Sequence, residues 1–305
     1  SIGSNSFGMA LSRSALFGVA ATFTLLLRQT VNLCGFGAIC GPSCPYGQKA
    51  RSGARRCLNP SQLEAVRAPK GAHLVVAGAG SGKTRTLTHR LAWLLQQGVQ
   101  PDSILLLTFT RRAAEEMVKR ALSLAGLEGD ALQGGTFHSF GLSILRRFYE
   151  QAGFKAVPTA MDEEDIKDLI RIILTPKNGA SRTQFPEPTL LAKVISKRKN
   201  TGLPLLQVIQ EICPRLADLS SRIEKLEEDY QQRKREMCIV DYDDMLTMVA
   251  DLLENNSDVR QTVAEELEHI LIDEFQDTNL MQARIAKQLC AVHGNIMAVG
   301  DDAQS

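Results

Sequence analysis

The sequence predicts an α/β fold in which a parallel β-sheet is covered by helices on both faces and carries a helical insertion. In residues 58–138 and 239–305, short apolar runs alternate with helical segments, as expected of parallel strands buried on both faces. The middle, residues 139–238, has helical stripes among many charges and no comparable apolar runs. The composition, 44% hydrophobic and 23% charged, is typical of a globular protein.

Four apolar runs are the predicted strands of the sheet: residues 73–77, 104–108, 269–272 and 295–299. A helix is predicted after each of the first two, with the stripes Leu87, Leu91, Leu94 and Leu95, and then Ala113, Ala114, Met117, Val118 and Ala121. A further stripe in the middle region consists of Leu219, Ile223, Leu226 and Tyr230. We therefore predict an α/β lobe made of residues 58–138 and 239–305, with residues 139–238 as the insertion.

The first 57 residues differ in composition from the rest of the chain. They hold six basic residues, no acidic ones and four of the seven cysteines. The apolar run 15–27 is shorter than the roughly 20 residues of a membrane span but has the length of a signal-peptide core, and the composition also suits an organelle transit peptide. Because the chain does not begin with methionine, we favour a divergent or wrongly assigned start. We assign this extension no function and expect no membrane partner.

Cysteine usage and charge limit the functional classes. An odd cysteine count, with a spacing of Cys34, Cys40 and Cys44 that fits zinc poorly, favours a reducing compartment, here the cytoplasm or nucleoid. Residues 58–305 hold 29 of the 35 bases and all 34 acids, a formal balance of −5. Without a broad positive field, this part of the chain would have to bind a nucleic acid through a local groove and base stacking.

The strongest local pattern is a glycine-rich turn between the first predicted strand and its helix. Its members are Ala77, Gly78, Ala79, Gly80, Ser81, Gly82, Lys83 and Thr84. Small residues let backbone N–H groups surround phosphates, and a helix start adds partial positive charge. Lys83 can reach the terminal phosphates, and the Thr84 hydroxyl can bind Mg²⁺. The turn predicts a nucleoside triphosphate site, although the generic motif has glycine at position 77.

Two adjacent carboxylates, Asp273 and Glu274, end the predicted strand at residues 269–272. Ligands of parallel α/β sheets bind at this carboxyl edge. Asp273 can hold Mg²⁺ through its water shell, and Glu274 can orient and deprotonate an attacking water. Such a pair is weak evidence alone, but together with the phosphate loop it predicts hydrolysis of ATP.

Seven segments carry further motifs: residues 58–62, the loop 77–84 with its alanine, and residues 108–117, 135–140, 241–244, 273–279 and 299–305. In this order they resemble the motifs of the UvrD/Rep/PcrA-like superfamily 1 DNA helicases. Residues 58–62 resemble that family's adenine-binding segment, 108–117 motif Ia, 135–140 motif Ib, 273–279 motif II and 299–305 the start of motif III. The resemblance implies a P-loop NTPase lobe with a RecA-like sheet.

The same resemblance implies roles for single residues. Gln62 would bind the adenine edge, Arg85 would lie against the base, Gln276 would sense the γ-phosphate and the water, and Gln304 would couple the nucleotide to DNA. The residues expected to contact single-stranded DNA are Thr108, Phe109, Thr110, Phe137 and His138. Phe109 could stack on a base, an interaction worth roughly 1–3 kcal/mol that tolerates any sequence. Lysine and arginine residues at 193 and 197–199 are further candidates for phosphate contacts.

The resemblance also implies a motor that moves 3′ to 5′ on single-stranded DNA, with a preference for a 3′ tail. Arg111 and Arg112 stand where the family often has Asn-Lys, which leaves DNA contact plausible. The sequence stops within motif III, so we expect the C-terminal lobe of the same protein to be a required partner. We expect this segment alone to bind Mg-ATP, to bind single-stranded DNA weakly and to unwind nothing. The reason is that an arginine from a second lobe typically contributes a factor of about 10³–10⁵ in rate.

Other functions remain open at this point. A non-motor ATP-binding module that ends near Ser305 is one alternative. Such a module would end inside the connection between a strand and its loop, which is rare for a natural domain boundary. A motor lobe of a RecB/AddA-like helicase–nuclease is another, although the compact insertion favours the simpler type. A small-molecule kinase would have no need of the segments at 136–138 and 273–277.

Overall fold

The structure is a computed structural model that describes residues 58–127, 132–175 and 185–301, together with the backbone of residues 29–32. Gln304, the apolar run 15–27 and the four early cysteines lie outside the described residues. The described chain forms two compact units, one containing residues up to Phe137 and from Ser257 onward, and the other spanning His138–Asn256. No described helix is long and apolar enough to cross a membrane.

The first unit contains a parallel sheet of six strands within the described residues. In the order in which they lie side by side, these are β1 (Gln29–Asn32), β2 (Ala72–Val76), β8 (Ile296–Gly300), β7 (His269–Ile272), β3 (Ile104–Leu107) and β4 (Gln133–Gly135). The register pairs Val75 with Val299 and Leu106 with Leu271. The α/β fold class and the four expected strands are confirmed to within a residue or two, whereas β1 and β4 were not predicted.

Five α-helices lie within the described part of this unit. They are α1 (Pro60–Val66), α2 (Lys83–Gln96), α3 (Arg111–Ala125), α10 (Ser257–Glu266) and α11 (Leu280–Leu289). The predicted stripe residues Leu87 and Leu91 of α2 are fully buried, and α2 packs against both α1 and α3. Buried Arg90 donates hydrogen bonds to the carbonyls of Val66 and Ala68 at the end of α1. This contact satisfies backbone acceptors that the end of a helix leaves open and holds α1 against α2.

The second unit is mainly helical. Its helices are α4 (Phe137–Arg147), α5 (Glu163–Leu174), α6 (Pro188–Thr201), α7 (Leu205–Ile212), α8 (Ser220–Met237) and α9 (Tyr242–Asn255). A continuous core joins α5 to α8, with Ile170, Leu191, Val208 and Ile223 all fully buried. The described part of this unit also has one parallel strand pair, β5 (Thr159–Ala160) and β6 (Ile239–Val240), although no strand was predicted in either segment.

The second boundary of the insertion falls at 256/257, whereas the sequence placed it at 238/239. The difference is helix α9, which packs within the helical unit. A Cβ added at Gly141 of α4 would lie 2.3 Å from the backbone oxygen of Met245 in α9. Such close packing requires glycine and is not visible in a one-dimensional hydrophobic pattern.

Candidate nucleotide-binding site

The glycine-rich turn lies at the carboxyl end of β2, between its last residue and the first turn of α2. Gly80 and Gly82 have φ angles of +74° and +89°, in the left-handed region that favours glycine. Ala77, where the generic motif has glycine, is fully buried, and its backbone N–H donates to the Gly300 carbonyl of β8 at 3.0 Å. The alanine methyl group therefore belongs to the core of the lobe and does not face the loop.

Gln62 anchors the turn from α1. Its side-chain nitrogen donates to the Ser81 carbonyl at 2.8 Å, while its side-chain oxygen accepts from the Asn59 backbone in a capping box. A Cβ added at Gly82 would lie 2.8 Å from the Gln62 Nε2 atom. The residue expected to bind adenine is thus buried and in direct contact with the phosphate loop. Arg85 is half-buried in the first turn of α2.

Lys83 is buried at the start of α2 between two carboxylates. Its Nζ atom lies 3.4 Å from Glu274 Oε2 and 3.5 Å from Asp301 Oδ2. Asp301 directly follows β8 and is 3% exposed. Sequence reasoning missed Asp301 as a site residue. Its position after the buried run 295–299 was the available signal, since this is the same carboxyl edge at which Asp273 and Glu274 lie.

Asp273 and Thr84 form the second polar pair of the site. The Thr84 hydroxyl donates to Asp273 Oδ2 at 3.2 Å, although 189 residues separate them in sequence. Burial, followed by the neighbouring charge of Glu274, raises the pKa of Asp273 above its ordinary value. A cation bound here would favour the ionised carboxylate. Hydroxyl and carboxylate oxygens are ligands that suit Mg²⁺, which otherwise keeps water and phosphate oxygens around it.

The described residues contain no group of three or more His, Cys, Asp or Glu side chains that could hold a metal ion without other ligands.

Gln276 connects the two carboxylate segments. Its Nε2 atom donates to Glu274 Oε2 at 2.6 Å, and its Oε1 atom accepts from the Asp301 backbone N–H at 3.0 Å. Glu274 itself has a φ of +51°, which is uncommon for a residue other than glycine. One amide side chain therefore joins the residue expected to activate water to Asp301, directly after β8.

The residues expected to contact DNA differ greatly in exposure. Phe109, two residues after the end of β3, is 70% exposed, whereas Phe137 is 5% exposed. Thr108 is buried, and its hydroxyl donates to the Thr110 carbonyl at 2.7 Å. The Thr110 hydroxyl caps α3 by accepting from the Ala113 backbone.

His138 is half-buried and stacks on Tyr242, a residue that sequence reasoning did not select.

Three of the four basic residues of α6 are paired with carboxylates. Lys197 bonds Glu211, Arg198 bonds Glu224 and Glu227, and Lys199 bonds Asp244. The charges of these three side chains are therefore balanced by carboxylates of the same unit.

The phosphate loop, the carboxylate pair at the end of β7 and the parallel sheet together define a P-loop nucleotide-binding lobe. Comparison with known proteins is more specific. Residues 58–305 match the family described as the UvrD/REP helicase N-terminal domain, and the chain belongs to this family.

Curated relatives agree with this assignment. The ATP-dependent DNA helicase PcrA of Staphylococcus epidermidis is 36% identical over 250 residues, which cover 81% of this chain and 34% of that protein. The protein of the same name from Staphylococcus aureus is 35% identical, over 81% of this chain and 33% of its own length. The chain thus spans about a third of the length of the curated relatives it matches.

Proposed function

We propose that this chain is the ATP-binding motor lobe of a DNA-dependent ATPase that moves 3′ to 5′ along single-stranded DNA. The observation that carries the proposal is the position of Lys83, within 3.4–3.5 Å of carboxylates that follow two different strands, beside the Thr84–Asp273 pair. A phosphate-binding ammonium and the groups expected to act on water therefore meet at one edge of the sheet.

Each residue has a task in this proposal. The loop backbone and Lys83 hold the phosphates and stabilise the charge that develops as the terminal phosphoryl group leaves. Glu274, whose side chain is 36% exposed, stays accessible to water and accepts its proton. Thr84 and Asp273 would hold Mg²⁺, which when bound neutralises phosphate charge. Gln276 keeps the Glu274 carboxylate in place.

The link to DNA rests on Phe109 and on the relatives that are named DNA helicases. An aromatic side chain that is 70% exposed at the end of a buried strand is unusual for a core-forming residue and suits base stacking. We further propose that strand separation needs the second lobe of the same protein, because motion along DNA requires two bodies that close and open around ATP.

Nucleotide binding tests the first half of the proposal. We expect this chain to bind a fluorescent ATP analogue with Mg²⁺ and expect Lys83→Ala to weaken that binding at least tenfold. Lys70→Ala is the matched control, because Lys70 pairs with Glu268 on the surface of the same unit. Equal affinities for Lys83→Ala and the unaltered chain would contradict the assigned site.

Strand polarity tests the second half. A protein that joins this lobe to its second lobe should unwind a duplex with a 3′ single-stranded tail in an ATP-dependent manner and leave a 5′-tailed duplex intact. Unwinding from the 5′ tail alone would show that the proposed direction is wrong. If DNA did not stimulate the ATPase activity, the assignment as a motor would be wrong.

A further inference from the structure

Arg90 of α2 is buried although it carries a charge. It is 3% exposed, and its guanidinium donates to the carbonyls of Val66, at 2.9 Å, and Ala68. The same group lies over the ring of Trp93, 4.8 Å from the centroid, and no carboxylate of the described residues forms an ion pair with it. Burial lowers its pKa to about 10, which leaves it charged at neutral pH. Because a buried cation without a carboxylate is costly, core packing alone does not explain an arginine here.

Helix α1 depends on its neighbours for its position. It has seven residues, Pro60–Val66, and helices this short are not stable in isolation. Two residues of its last turn, Ala65 and Val66, are fully buried, and α1 packs against α2. Backbone carbonyls at the end of a helix lack partners within it. The planar guanidinium of Arg90 binds two carbonyls at this end and therefore fixes where α1 lies relative to α2.

The other end of α1 carries Gln62. This side chain is 5% exposed, and both ends of its amide group are in use. The oxygen accepts from the Asn59 backbone at 2.9 Å, and the nitrogen donates to the Ser81 carbonyl at 2.8 Å. A shift of α1 by about an ångström would lengthen the second bond beyond hydrogen-bonding distance. Arg90 and Gln62 thus hold opposite ends of one short helix against α2 and the phosphate loop that precedes it.

We propose that Arg90 is a positioning residue that sets the preference for adenine over other bases, by fixing α1 and therefore Gln62. This inference rests on the proposed function and on the expected contact of Gln62 with adenine. A side-chain amide distinguishes adenine from guanine only when its donor and acceptor are both held in place. The phosphates are held by the loop and Lys83 at the start of α2, so GTP, which has the same triphosphate, is the reference ligand.

Competition against a fluorescent ATP analogue measures the affinities of the full chain for ATP and GTP. Arg90→Met should lower the ratio of ATP affinity to GTP affinity about tenfold, as expected for a lost amide–adenine contact. Gln62→Ala should lower the ratio by the same factor, and the double variant should lower it no further, because both residues act through one contact. Arg90→Lys keeps the charge but not the planar fork and should lower the ratio less.

The matched control is Arg120→Met, the same substitution at an exposed arginine of α3 that pairs with Glu116. It should leave the ratio unchanged. Urea unfolding followed by the emission of Trp93, the one tryptophan of the chain, identifies any variant that does not fold. If Arg90→Met does not fold, the ratio in Arg90→Lys decides, and an unchanged ratio there would overturn the proposal.

The outcomes separate this inference from the proposed function. If the unaltered chain binds no ATP, both fail. If it binds ATP and GTP equally well, or if folded Arg90→Met keeps the preference for ATP, the positioning role alone is wrong. Equal losses of ATP and GTP affinity in Arg90→Met would show a general disturbance of the site and overturn the proposal. A double variant with a much lower ratio than Gln62→Ala would show that Arg90 does not act through Gln62.

Discussion

Replacing Glu274 with glutamine should separate ATP binding from ATP turnover. The substitution keeps the shape of the side chain and its ability to bond Gln276, but it removes the negative charge and the ability to accept a proton. If Glu274 is the base that activates water, the loss should appear in the rate of hydrolysis, by roughly 10²–10⁴.

The effect on ATP binding follows from the position of Lys83. Two unit charges 3.4 Å apart, as for Lys83 and Glu274, attract by about 5 kcal/mol at an effective dielectric constant of 20. Because the Glu274 side chain is 36% exposed, solvent screening reduces this to about 1 kcal/mol. Glu274→Gln frees Lys83 from one competing carboxylate, so ATP should bind equally well or up to about fivefold more tightly.

Two assays check this prediction. Titration of the chain with a fluorescent ATP analogue gives the affinity, and phosphate release by a protein containing both lobes gives the rate. Glu268→Gln is the matched control, since it removes a carboxylate just before β7, at the opposite end of the strand. Near-normal ATP turnover in Glu274→Gln would show that Glu274 is not the base that activates water. A large loss of nucleotide affinity would show instead that Glu274 shapes the site.

Three further predictions concern the described residues. Gly82→Ala should weaken ATP binding at least tenfold in the same titration, because the added Cβ would lie 2.8 Å from Gln62 and the φ angle is +89°. Gly98→Ala is the control and should not weaken binding, because Gly98 has a similar φ of +86° but open space around it. Lys234→Met should lower the free energy of unfolding of the helical unit by about 2–3 kcal/mol in urea, because it removes a buried cation from the buried carboxylates of Asp241 and Asp244 and leaves them with Lys199. A loss below about 1 kcal/mol would contradict this prediction. Burial lowers the pKa of His138 to about 4, against 6.5 in the unfolded chain, so its contribution to stability is complete above pH 6.5 and is lost as the pH falls towards 4. His138→Gln should therefore make the free energy of unfolding, measured in urea, less dependent on pH over that range. An unchanged pH dependence would contradict this prediction.

Local sequence was sufficient to predict the elements that follow from hydrophobic period and loop chemistry. The strand at His269–Ile272 and the helix that starts at Lys83 have bounds close to those expected, because an apolar run or a glycine-rich turn determines structure over a few residues. The same patterns placed Lys83 and Asp273 at the carboxyl edge of one sheet, which is where both lie.

Long-range packing decided what the sequence pattern could not. Asp301 was missed because its contact with Lys83 depends on β8 lying beside β2, a pairing that no local period encodes. The end of the helical unit at Asn256 depends on the close approach of Gly141 to Met245. The stack of Tyr242 on His138 joins residues from two distant helices.

The sequence by itself therefore determined the fold class, the phosphate loop and the carboxylate pair, since each depends on residues that are neighbours in the chain. Only the tertiary structure decided which side chains share a site and which rings remain exposed. Phe109 and Phe137 both belong to motifs expected to contact DNA, yet one is 70% exposed and the other 5%. Exposure depends on every segment that packs around a residue, and those segments come together only when the chain folds.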